Sequence, residues 1–138
     1  MKKSSNNNRL GSVRAFYFAA LVYAIFAILA TGYLKWREGL KGIDITLVSA
    51  LLNLAFFTIL IWSIVSCAVF AKNKSPKKTL VLPIYYLATT IITFIVIFIS
   101  ILSTGKEVNA LSWGWVVVSI ISSLFEAVYA SYILKGIK

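Results

Sequence analysis

Four long apolar runs decide most of what this chain can fold into. They are "AFYFAALVYAIFAILATGYL" (residues 15–34), "ITLVSALLNLAFFTILIWSIVSCAVFA" (45–71), "LVLPIYYLATTIITFIVIFISILS" (80–103) and "LSWGWVVVSIISSLFEAVYASYIL" (111–134). Each holds 20 to 27 residues. A helix needs about 20 to cross a hydrocarbon layer roughly 30 Å thick. The second run is long enough to require tilt or to continue past the interface. Membrane-barrel strands alternate over about ten residues, so runs of this kind are not strands.

Composition points the same way. Apolar residues make up 60% of the 138 and charged ones 13%. A soluble domain is nearer half apolar and a quarter charged. So small a chain cannot bury that much apolar surface in its own core. The first run is longer than a secretory signal core and reads as a signal anchor rather than a cleaved leader.

The expected fold is therefore an all-α integral membrane protein. Short connections make successive spans antiparallel, which gives an up-down-up-down bundle of four transmembrane helices at about 15–34, 45–71, 80–103 and 111–134. Residues 1–14 form a short basic polar tail, 15–134 the transmembrane domain and 135–138 a second tail. The segment "KKSSNNNR" has the composition of an irregular chain.

Charge sets the expected orientation. Lys2, Lys3, Arg9, Arg14, Lys72, Lys74, Lys77, Lys78, Lys135 and Lys138 share one side, with no acid among them. Lys35, Arg37, Lys41 and Lys106 share the other with Glu38, Asp44 and Glu107. The positive-inside rule then places both termini and the central loop in the cytoplasm. Trp36, Trp113 and Trp115 fall at the outer boundary, as indole rings prefer. A bacterial inner membrane is the expected site, and the endoplasmic reticulum obeys the same rule. The net charge of +10 is spread between apolar blocks rather than over a folded face, so nucleic acid is not the expected partner. Lys72, Lys74, Lys77 and Lys78 sit where anionic lipid headgroups would be, at about 1 kcal/mol each.

Function must enter through polar side chains inside the spans, because helical backbone satisfies itself. Glu126 is the single acid within any run. At ~1.5 Å per residue it lies ~12 Å from the inner boundary. Tyr23, Ser63, Thr89 and Thr90 fall at about the same depth. An intramembrane carboxylate marks a functional hypothesis by default. A protonated Glu126 would donate a hydrogen bond and tie helices together. An ionised one would hold a cation or a partner's arginine. Ser119, Ser123, Ala127 and Ser131 recur every four residues, the spacing of a close-packing seam, with Ser122, Glu126 and Ala130 in the adjacent row. Asn53 is expected to bond across helices. Phe16, Tyr17, Tyr85, Tyr86, Tyr129 and Tyr132 read as an interfacial belt.

No histidine is present and there is one cysteine, Cys67. That removes Cys–His and Ser–His chemistry and most metal and haem ligand sets, so no cofactor or metal is expected. A lone carboxylate cannot do paired acid–base work, and an enzyme is not expected. The expected function is that of a small multi-pass protein working through helix–helix and lipid contacts. It would be an accessory subunit, assembly factor or regulator of a larger membrane complex, an immunity-type role included. The alternative is a small oligomeric transporter or channel in which Glu126 binds a proton or cation. Expected partners are membrane lipids and other membrane subunits, or a second copy of the chain.

Overall fold

The computed structural model describes residues 2–73, 77–106 and 112–137, with side chains described from residue 11 to residue 136 within those stretches. Four helices account for nearly all of it: α1 (Lys2–Trp36), α2 (Ile43–Lys72), α3 (Val81–Thr104) and α4 (Trp113–Ile137), with a 3-10 turn at Lys77–Thr79 before α3. All four contain a span long and apolar enough to cross a membrane. The chain is an all-α bundle of four such helices, as the apolar runs require. Lys74 and Leu111 lie outside the described residues.

Helix ends differ from the apolar runs in one place. α1 begins at Lys2, so "KKSSNNNR" is helical rather than irregular. Propagation adds one hydrogen bond for each residue fixed, so a helix nucleated in an apolar span can extend into a polar flank of poor formers. At the other ends the local chemistry is ordinary. Pro83 occupies the first turn of α3, where a missing N–H removes no helical bond. α3 stops at Gly105, whose φ of 70° suits a left-handed cap, and its N–H reaches the Ile101 carbonyl at 2.7 Å.

α1 is the central element. Its buried stripe comprises Val13, Phe16, Tyr17, Ala20, Ala24, Ala27, Ala30 and Leu34. Four alanines at this spacing let neighbouring backbones approach closely, which is the main device for packing helices where lipid is as apolar as the core. α1 packs against α4 and α2, and α2 packs against α3. The α3 and α4 backbones approach at few points, and Tyr85 reaches across to Ser122 and Phe125. The order around the bundle is thus α4–α1–α2–α3, with a seam left open between its two ends.

The two ends of the bundle are built differently. Near the chain termini, Phe16 sits edge-on to Tyr17, Phe70 and Tyr86, with ring centres 5.3, 6.1 and 6.3 Å away. Such edge-to-face pairs are favourable beyond the area they bury. Tyr17 Oη donates to the Thr79 carbonyl at 2.8 Å, and Tyr129 Oη to the Lys78 carbonyl at 2.5 Å. The turn before α3 is therefore held by phenols from α1 and α4. Phe16, Tyr17 and Tyr86 belong to this core rather than to an interfacial belt, because α1 has neighbours on both flanks and both its adjacent rings point inward. At the opposite end, Arg37 Nε pairs with Asp44 at 3.1 Å, the Tyr33 hydroxyl bonds the same carboxylate, and Lys35 Nζ lies 4.5 Å above the Trp113 ring. Those ties join α1 to α2 and α4. The last turns of α3 face outward: Phe98, Ile99, Ile101 and Leu102 are all exposed.

Candidate functional site

The open seam widens into a cavity of about 630 Å³. All four helices contribute to it. Thr31 of α1, Asn53 of α2, Phe94 of α3 and Trp115 of α4 line its part nearer the 37–42 turn. Tyr23, Tyr86, Ser122 and Glu126 line its deeper part. From Trp115 to Glu126 the lining spans about 16 Å of α4 at helical rise. Beyond that depth the Phe16–Phe70–Tyr86 cluster fills the interior.

Glu126 is 5% exposed. Its Oε2 accepts a bond from Ser122 Oγ at 3.2 Å, one turn earlier on α4. Ser122 Oγ in turn shares a 2.5 Å bond with Tyr85 Oη from α3. This chain of Tyr85, Ser122 and Glu126 is the polar bridge across the seam. Tyr86 and Tyr23 face the same carboxyl across the cavity, and their rings meet edge-on at 6.0 Å. Two buried atoms, Glu126 Oε1 and Tyr86 Oη, have no hydrogen-bond partner among the described residues. A buried polar atom left unbonded costs roughly 1–3 kcal/mol.

The residues singled out from sequence divide into those the cavity gathers and those it does not. Tyr23, Thr89, Thr90 and Glu126 all line it; Ser63 does not. Ser63 is fully buried and donates to the Ile59 carbonyl of its own helix at 2.7 Å. Thr89 and Thr90 likewise donate back to the Tyr85 and Tyr86 carbonyls, at 2.8 and 2.7 Å. Such back-bonding satisfies a hydroxyl without a second helix. These three hydroxyls bond their own helices rather than Glu126.

On α4, Ser123 is buried and Ala127 half-buried, whereas Ser119 and Ser131 are exposed. The buried row runs through Val116, Ser123, Glu126, Ala130 and Ile133. That spacing of three and four residues follows the 3.6-residue turn more closely than a strict four-residue row, which drifts around the helix. Asn53 is exposed and lines the cavity. Lys72, Lys77 and Lys78 are exposed at the terminal end, and Lys78 Nζ stands 5.9 Å over the Tyr132 ring.

Tyr85, Tyr86 and Ser122 are the members of this site that sequence reasoning had not assigned to it. A signal for each exists, beginning with Tyr85, which precedes Thr89 by four residues. Tyr86 precedes Thr89 by three residues and Thr90 by four, so it shares their face, and Ser122 precedes Glu126 by four.

The arrangement offers one carboxyl, several hydroxyls and aromatic walls. It can accept hydrogen bonds, hold or exchange a proton, or balance one positive charge. Among the described residues no group of three metal-ligating side chains comes together. Compared with protein-family models, curated proteins and solved structures, the chain matches none.

Proposed function

We propose that this small multi-pass membrane protein acts by contact rather than by catalysis, as an accessory subunit, assembly factor or regulator of a larger membrane complex. The observation that carries this reading is the incomplete bundle. Four apolar helices leave one seam unclosed, and the outward faces of α2, α3 and α4 offer broad apolar surface. Exposed Ser131 on α4, outside the cavity, is the kind of small polar residue that lets another helix approach. The lysine-rich terminal end lies in the cytoplasm on this reading, against anionic lipid of a bacterial inner membrane.

Extraction in a mild detergent tests it. A larger membrane protein that co-purifies at fixed stoichiometry through two chromatographic steps is the expected result. A chain that emerges alone or only with itself contradicts an accessory role.

A second reading, a small carrier or channel, has its own observation: a buried carboxyl with an unbonded oxygen at the deep end of a cavity. Cation or proton movement by the purified chain in liposomes, lost in Glu126→Gln, distinguishes it from the first.

A further inference from the structure

The cavity has a definite chemical character, whatever complex the chain joins. Its volume of about 630 Å³ falls within the ~300–1,000 Å³ usual for small-molecule sites and is too small for a transmembrane helix. Among the described residues that line it, Glu126 is the sole acid and none is a lysine or arginine. The walls include the rings of Tyr23, Phe56, Phe57, Tyr85 and Trp115. Aromatic faces attract cations, most strongly where water is excluded. A carboxylate in such surroundings is costly unless a positive partner balances it.

The hydrogen-bond inventory narrows the choice further. Ser122 serves one Glu126 oxygen, while Oε1 and the Tyr86 Oη that faces it have no other partner among the described residues. An ammonium placed between these two oxygens can donate an N–H to each of them. A quaternary ammonium has none to give. A bare metal ion calls for several anionic or oxygen ligands, and one carboxyl is a poor set for it.

We propose that this cavity binds a monovalent organic cation of the primary or secondary ammonium class, with its N–H group at Glu126 and Tyr86 and an apolar body along the aromatic walls. The apolar body runs toward Trp115 and the exposed Asn53. Tyr85 and Ser122 act as positioning residues, since their shared bond fixes the Oε2 side of the carboxyl and leaves Oε1 for the ligand. The site stands on the chain alone and does not depend on a partner subunit.

Thermal unfolding of the full chain in a neutral detergent tests this. The probes are n-alkylammonium and phenylalkylammonium ions of increasing length, each beside the alcohol of equal length and the trimethylammonium analogue. Ammonium probes should raise the midpoint saturably, with apparent affinity rising with chain length. The alcohols and the trimethylammonium ions should bind at least tenfold more weakly. Glu126→Gln should lower ammonium affinity at least tenfold, and Tyr86→Phe about threefold, with helicity by circular dichroism unchanged in both. Equal response to alcohols, or equal affinity in Glu126→Gln, overturns the proposal. So does a wild-type chain that no ammonium probe stabilises: the carboxyl then serves only to link α3 and α4. A trimethylammonium response as strong as the ammonium one overturns the role given to Oε1.

Discussion

The half of the bundle near the chain termini and the half near the 37–42 turn are both apolar and differ in how they are closed. In the terminal half, Phe16, Tyr17, Phe70, Leu82 and Tyr86 are almost wholly buried, and two phenols hold the turn before α3. In the other half, α3 leaves α4, its final turns face outward, and the interior is a cavity. Both halves are apolar, so hydrophobicity does not distinguish them. Side-chain size and hydroxyl placement do. Large rings fill the first, whereas α1 turns the smaller Ala27 and Thr31 toward the cavity in the second. Where lipid competes equally for apolar surface, shape-filling and interhelical hydrogen bonds decide which faces meet.

The contrast can be broken by truncation. Phe16→Ala should destabilise the chain by about 3 kcal/mol, the usual scale for emptying a buried aromatic site. Phe98→Ala on the outward face of α3 should change stability by less than about 0.5 kcal/mol. Both are read from unfolding in a mixed-micelle titration followed by circular dichroism. Similar losses at the two positions would mean that the halves are packed alike.

Glu126→Leu sharpens the comparison from the other side. It trades a buried carboxyl for an apolar side chain of similar volume, so stability should rise by about 1–2 kcal/mol in the absence of ligand. A fall instead would show the carboxyl to be a structural tie. Tyr17→Phe should cost about 1 kcal/mol through the lost bond to the Thr79 carbonyl. Tyr129→Phe should act in the same direction. Double substitution should loosen the start of α3, seen as faster amide exchange near Leu82. The smallest effect belongs to the 37–42 turn. Arg37→Ala breaks an exposed ion pair with Asp44, and such pairs contribute little, so the unfolding midpoint should stay unchanged within error.

Sequence made the four helices and their antiparallel order plain, because a run of about 20 apolar residues admits few other structures. Depth was legible too, since helical rise places Tyr23, Thr89, Thr90 and Glu126 near one level. Azimuth was not. Depth says nothing of which way a side chain turns about the helix axis, and in a membrane span the outward face is as apolar as the inward one. Periodicity, the guide that works in water, is therefore weak here. Ser63 shows the result: right in depth, it faces the core and bonds its own helix. Tyr85 and Tyr86 show the converse, since tyrosines near a span end favour the interface as readily as the interior. The seam between α3 and α4 depends on how four faces compete for neighbours, and no single run carries that information.

The central claim is that the interior is a cavity from the level of Asn53 and Trp115 to that of Glu126 and is filled beyond it. Cysteine accessibility tests this most directly. In a Cys67→Ser background, single cysteines replace Asn53, Ser119 or Ser63, and membranes permeabilised from both sides are treated with a small charged thiol reagent. The account predicts rapid labelling at 53 and 119 and almost none at 63. Labelling at 63 as fast as at 53, or protection of both 53 and 119, would contradict it.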